Sequence, residues 1–309
     1  MRVVRAVLFD YGLTLVTFTY PRQALLGVLE RVRPWLGPDA PDPETVMRTV
    51  LEPLEAELDG FGEDEVDYMD FYENAWRRAG LEVPRETLWR ILDLEQQCWD
   101  RSLTVAPGAL ETLQALRDRG LKTALASNAP FPPAMMRRQV RGNGIAERVD
   151  AVVFSSEVGR RKPAPELYQA ALDRLDVAAA EALYVGDRFV EDYEGPRRLG
   201  MQAVLCRALA RTPVPPEVPT IGRLGELLEL PELGGSGGAR ESHHRQGVSG
   251  EALAAQHHVP ADGAGEHGHD RPRLQRVDHE RERQQLAHIR EQVERERGRA
   301  AHGCSWRCP

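Results

Sequence analysis

Five short apolar runs, each bounded by turn-forming residues, recur along the first two thirds of the chain: Arg5 to Phe9, Leu121 to Ala126, Ala151 to Phe154, Ala182 to Val185 and Gln202 to Leu205. These near-continuous runs suit strands buried on both faces. Helical patterns lie between them. Pro107 opens one that runs to Arg119 and stops at Gly120, Pro163 to Leu175 is a second, and Asp192 to Leu199, stopped by Gly200, is a third. Strand, helix and strand in succession imply right-handed crossovers and a doubly wound, Rossmann-like parallel α/β sheet. The ligand crevice of such a sheet lies beyond the carboxyl ends of its strands.

Residues 20–101 interrupt this alternation. The stretch has no strand signal and reads as four helices, 21–36, 43–59, 65–79 and 84–101, with Pro or Gly at the junctions. It predicts a four-helix cap inserted into a core made of 1–19 and 102–232. Four of the five tryptophans (Trp35, Trp76, Trp89 and Trp99) fall in it, where large side chains are expected to fill a small core. Tyr68, Phe71 and Tyr72 are equally eligible to face a substrate.

Composition then divides the chain. All nine histidines lie between His243 and His302, and residues 233–309 hold nine Leu, Ile, Val or Phe in 77 positions. That is about 12%, below the roughly 20% at which burial offsets ordering entropy, so 233–309 is predicted to be a disordered tail opening on a Gly/Ser linker at 234–238. Its His243-His244 and His257-His258 pairs and its Cys304 and Cys308 match no closed zinc spacing. The formal net charge of -8 gives no general pull towards nucleic acid or an anionic membrane surface. No apolar run approaches the roughly 18 residues needed to cross a bilayer, and the start lacks a signal-peptide core. Four cysteines are too few for a disulfide scaffold, and a cytoplasmic location is expected.

The polar residues directly after the predicted strands converge on one crevice. They are Asp10, Ser127, the Lys162 loop, and Asp187 with Asp192. Each alone is an ordinary turn former or helix cap. Three carboxylates, a hydroxyl and an ammonium at a common rim make a site for a hard divalent cation and a phosphoryl group. Lys162 carries weight of its own, because Lys122 and Lys162 are the only lysines among 40 basic residues.

The ordered motifs Leu8-Phe9-Asp10-Tyr11-Gly12-Leu13-Thr14, Ala126-Ser127-Asn128, Gly159-Arg160-Arg161-Lys162-Pro163 and Val185-Gly186-Asp187 with Asp192 resemble those of the haloacid dehalogenase superfamily, in its subfamily with a helical cap after the first strand. The resemblance covers residues 3–230. It implies that Asp10 is the nucleophile of an aspartyl-phosphate mechanism and that Mg2+ is held by Asp10, the Gly12 carbonyl, Asp187 and Asp192. It implies further that Ser127 and Lys162 bind the phosphoryl group, with Asn128 shaping the loop, and that the substrate is a small phosphorylated metabolite.

The sequence departs from the usual phosphatase motif two residues after Asp10, where Gly12 replaces a second Asp that would serve as general acid and base. A positioned acid or base is worth roughly 10² to 10⁴ in rate, so the departure implies slow turnover, good leaving groups or a proton donor from the cap. Tyr11 is a poor replacement, because neighbours on an extended segment point to opposite sides. Among the family's chemistries, retention of Asp187 and Asp192 favours metal-assisted phosphoryl transfer over metal-free dehalogenation. A phosphonate hydrolase needs a cap lysine for its Schiff base, and 20–101 has none. A sugar phosphate mutase needs the missing Asp even more than a phosphatase does. The competing expectation is a weak or inactive member that binds a phosphorylated ligand or a protein partner.

Overall fold

The computed structural model describes residues 3–58, 60, 62–210 and 214–233. Its strands are β1 (Ala6–Phe9), β2 (Val16–Phe18), β3 (Leu103–Val105), β4 (Lys122–Ser127), β5 (Ala151–Phe154), β6 (Ala182–Gly186), β7 (Gln202–Cys206) and β8 (Thr220–Ile221). Six of them form a parallel sheet in the order β5-β4-β1-β6-β7-β8. The apolar runs have a simple cause. Along β1, Val7 and Phe9 join one core with Leu125 and Val185, while Ala6 and Leu8 join the opposite one with Ala124 and Tyr184, so both faces are buried.

The helices are α1 (Arg22–Val32), α2 (Pro43–Val46), α3 (Glu52–Leu58), α4 (Tyr68–Arg78), α5 (Arg85–Ser102), α6 (Ala109–Asp118), α7 (Pro133–Gly142), α8 (Ser155–Val158), α9 (Pro165–Leu175) and α10 (Gly195–Arg198). The first five stand between β2 and β3 as a helical insertion. A wide turn at Met47–Leu51 joins α2 to α3, so 43–58 is one helical stretch, as its spacing predicts. Asp42 and Asp67 cap α2 and α4 by accepting the N–H of Thr45 at 3.0 Å and of Asp70 at 2.9 Å. Tyr72, Trp76, Leu54 and Leu88 are fully buried within the insertion, and Trp89 is nearly so. The guanidinium of Arg90 lies 4.1 Å over the ring of Trp35. Trp76 and Trp89 fill the core of the insertion as expected, whereas Trp35 is only half-buried.

Three features differ from the sequence reading. β2 and β3 pair as a small antiparallel ribbon at the base of the insertion, and β8 and α7 extend the core. Strands of two or three residues are too short to show a period. The helix expected from Asp192 starts earlier, with a wide turn at Phe189–Glu194 that leads into α10. The tail expectations, including its His pairs and Cys304 and Cys308, lie outside the described residues. No helix among the described residues is long and apolar enough to cross a membrane.

From β1 the chain builds outward through β4 and β5, then returns to β6 on the other side of β1. The direction of winding therefore reverses between β1 and β6, where open α/β sheets place their ligands.

Candidate active site

Asp10 stands at that reversal. Its N–H donates to Val185 O at 2.9 Å, continuing the β1–β6 ladder one residue past the strand and aiming the carboxylate into the crevice. Ser127 ends β4, and its hydroxyl donates to Asp10 Oδ1 at 2.8 Å. Lys162 Nζ reaches the same Oδ1 at 2.6 Å, Asp192 Oδ1 at 2.7 Å and the Tyr184 hydroxyl at 2.9 Å. Asp10, Asp187 and Asp192 are all buried and offer oxygens within 4.8 Å of one another. The strand-end residues singled out in the sequence thus meet at one point.

The loops around them are held by their own hydrogen bonds. Asn128 grips Lys162 by the backbone, accepting its N–H at 2.7 Å and donating to its carbonyl at 3.2 Å. Asp192 Oδ2 accepts the N–H groups of Asp187 at 3.0 Å and of Arg188 at 2.9 Å, which ties the wide turn back onto the end of β6. Gly186 makes this approach feasible, since a Cβ there would lie 2.3 Å from Asp192 Cγ.

Electrostatics sharpen the picture. Burial opposes the charge on Lys162, but Asp10 and Asp192 outweigh it and hold the ammonium above its ordinary range. Burial, then the neighbouring Asp10 and Asp192, push Asp187 up to about 8. Burial also raises Asp192, against the pull of Lys162. Three carboxylates against one ammonium leave two excess negative charges when all are ionised. A hard divalent cation would balance them with the oxygen donors it prefers, so the residues present fit such an ion.

The group opens onto a cavity of about 300 Å³ between the sheet and the helical insertion. Gly12 and Asn128 line it beside Asp10, Ser127 and Lys162, and Phe18, Trp99, Phe131 and Met136 form an apolar wall. Trp99 meets Phe18 edge to face with ring centres 5.8 Å apart. It is the one tryptophan of the four on this wall, whereas Tyr68, Phe71 and Tyr72 do not line the cavity. Burial pushes the Tyr11 phenol up and Asn143 Nδ2 donates to its oxygen at 2.6 Å, which occupies it on the core side.

Sequence reasoning missed several residues here. Tyr184 supports Lys162 and donates to Ala126 O at 2.6 Å; a lone hydroxyl inside an aliphatic strand was its signal. Phe18, Phe131, Gln96 and Gln139 come from separate elements that only the fold brings together. Glu65 and Arg161 form a buried ion pair at 3.1 Å that no local pattern announced.

With this geometry agree the comparisons with known proteins. The chain belongs to the haloacid dehalogenase-like hydrolase family, whose model matches residues 4–200. It is 39% identical over 101 residues to haloacid dehalogenase-like hydrolase domain-containing protein 3 of Mus musculus, covering 33% of this chain and 39% of that one. It is 38% identical over 104 residues to phosphoserine phosphatase of Thermus thermophilus, covering 34% of this chain and 41% of that one. The chain therefore spans about two fifths of the length of these curated relatives. A 2-haloacid dehalogenase structure from Pseudomonas syringae shares the fold, with a TM-score of 0.55 and 22% identity over 73% of this chain and 97% of that one.

Proposed function

We propose that the protein is a Mg2+-dependent phosphatase acting in the cytoplasm on a small phosphorylated metabolite through an aspartyl-phosphate intermediate. The observation that carries this reading is the bridge made by Lys162 Nζ, 2.6 Å from Asp10 Oδ1 and 2.7 Å from Asp192 Oδ1, beside a third buried carboxylate. Dehalogenation by an attacking Asp needs no cation, whereas phosphoryl transfer does, and Asp10, Asp187 and Asp192 together offer it three buried carboxylates.

Asp10, the Gly12 carbonyl, Asp187 and Asp192 would hold the Mg2+. When bound, the ion neutralises charge between the attacking carboxylate and the phosphoryl oxygens. The protein's own groups do the rest. Lys162 and Ser127 both engage Oδ1 of Asp10, which orients the carboxylate and leaves Oδ2 to attack phosphorus. A bond forms from Oδ2 to phosphorus as the bond from phosphorus to the leaving oxygen breaks, and that oxygen departs with the electron pair and takes up a proton. Water then attacks phosphorus, loses a proton and releases inorganic phosphate, restoring Asp10. On substrate binding the single O–H of Ser127 would turn from Oδ1 to a phosphoryl oxygen, while the charge of the Lys162 ammonium stabilises the transferring group from its place beside Oδ1. Residues 20–101 act as a cap whose apolar wall of Trp99 and Leu58 receives the leaving group. Gly12 offers no proton to that group, so the reading favours stable leaving groups or a proton from Glu55 or Glu191, which also line the cavity.

The test is release of phosphate from para-nitrophenyl phosphate with Mg2+, with chelator and with Asp10→Asn. Turnover that needs both the metal and Asp10 is expected. Full activity in excess chelator would point to metal-free chemistry. A folded protein that binds phosphate but never turns over a phosphomonoester panel would make it a binding member of the family.

A further inference from the structure

The helical insertion meets the loops of the site at one buried carboxylate. Glu65 lies between α3 and α4, and its side chain is 2% exposed. Its Oε1 accepts from Arg161 Nη1 at 3.1 Å and from the N–H of Val66 at 3.0 Å. Its Oε2 accepts from Arg161 Nη1 at 3.3 Å and from the hydroxyl of Ser155. Ser155 Oγ in turn accepts the N–H of Ala129 at 2.8 Å. The backbone repeats the connection: Glu65 N donates to Gly159 O at 3.1 Å, and Arg161 N donates to Glu63 O at 2.8 Å. Outside this seam, Arg160 pairs with Glu63 and Asp64.

The position of these partners matters. Arg161 immediately precedes Lys162, and Ala129 follows the Ser127-Asn128 pair whose amide grips the Lys162 backbone. One carboxylate from the insertion is therefore bonded towards both loops that present groups to Asp10 Oδ1. Taking a carboxylate and a guanidinium out of water is costly unless their hydrogen bonds are satisfied, and an apolar contact would join two surfaces with less penalty. The polar tie adds direction: its bonds are all made in only one placement of 63–65 against the two loops.

We propose that Glu65 is a positioning residue. Docked through Glu65, the insertion fixes Arg161 on one side and, through Ser155, Ala129 on the other, so that Lys162 Nζ and Ser127 Oγ converge on Asp10. The roles of Lys162 and Ser127 rest on the phosphatase reading; the tie between the loops does not.

The experiment compares wild type, Glu65→Gln, Arg161→Gln and the double variant, reading kcat and KM for para-nitrophenyl phosphate with Mg2+ together with amide hydrogen exchange. Both single variants should lose roughly 10- to 100-fold in kcat, the scale of a small misplacement of reacting groups, with KM nearly unchanged. The double variant should lose no more than the worse single one. Exchange should accelerate in both 127–129 and 159–163 in Glu65→Gln. Losses that multiply in the double variant, or unchanged exchange in either loop, would overturn the proposal. If the wild type releases no phosphate at all, exchange decides alone: acceleration in both loops upholds the tie and leaves the failure with the phosphatase reading. Should the charge-removing variants not fold, Ser155→Ala cuts only the Ala129 arm. It should speed exchange at 127–129 and spare 159–163, and an equal change in the two would sink the tie.

Discussion

Lys162 serves three acceptors with one nitrogen, Asp10 Oδ1, Asp192 Oδ1 and Tyr184 Oη, at 2.6, 2.7 and 2.9 Å. A planar guanidinium cannot reproduce three short bonds converging on a point, so Lys162→Arg should abolish turnover despite keeping the charge. Lys162→Met removes the counter-charge and leaves two buried carboxylates facing each other. Breaking such a buried pair costs roughly 3–5 kcal/mol, and urea melts in chelator should show a larger loss at alkaline than at acidic pH, because burial already raises Asp192 and its protonation relieves the repulsion. An equal loss at both pH values would mean the carboxylates are not the origin. Gly12 poses the opposite question, what an added side chain would do. Its φ is not in the left-handed region, which is occupied instead by Leu13 at 58°, and a Cβ at Gly12 would sit in ordinary contact, 3.7 Å from Phe18 Cε1. Asp is thus accommodated without backbone strain. Gly12→Asp should keep its melting temperature and raise turnover of alkyl or sugar phosphates relative to para-nitrophenyl phosphate, whose phenolate leaves unaided. A tenfold rise in that ratio corresponds to roughly 1.4 kcal/mol off the barrier. A folded variant with an unchanged ratio would show that another group already delivers the proton.

At the level of elements, α5 carries a charge-bearing residue where a core helix would carry an apolar one. Glu95 is 5% exposed and accepts from the Tyr72 hydroxyl at 2.9 Å across the insertion. Burial pushes its carboxyl up to about 8, with the charge of Glu55 adding to the rise against the Tyr72 bond. The folded protein therefore holds this proton more tightly than the unfolded chain, whose value lies near 4.5. The stability that Glu95 contributes is complete below that unfolded value and is lost as pH rises through about 8, at roughly 1.4 kcal/mol per pH unit across the window. Glu95→Gln keeps an acceptor for Tyr72 and cannot ionise. Its melting temperature, compared with wild type from pH 5 to pH 9, should gain with pH up to about 8 and level off above it. A difference that stays flat would mean that Glu95 ionises in the folded state much as it does in the unfolded one.

Across the whole molecule, the sheet and the strand-end residues were legible because both follow from local rules. Buried parallel strands leave unbroken apolar runs, and the polar residue after each run falls at the same edge. Hence Asp10, Ser127 and Asp187 were readable from one dimension, while Lys162 and Asp192, further from the strand ends, were picked out by the ordered motifs. Phe18 on a three-residue strand, Phe131 in a loop and the Glu65–Arg161 pair were not, since their meaning comes from partners up to 96 positions away. The same separation of local from long-range information bears on residues 234–309, which share neither the apolar spacing nor the composition of the rest. The chain divides into units at 235, and Leu233, 2% exposed, is the last core residue among the described residues. A chain ending at Gly235 keeps the whole sheet, the helical insertion and every residue of the site. Its melting temperature and Mg2+-dependent turnover should match those of the full chain, because a segment with about 11% Leu, Ile, Val and Phe has too little apolar surface to stabilise a neighbour by burial. Calorimetry and phosphate release on the truncated chain measure both directly. A lowered or broadened melting transition would show that residues 236–309 contribute to the fold in a way their composition does not convey.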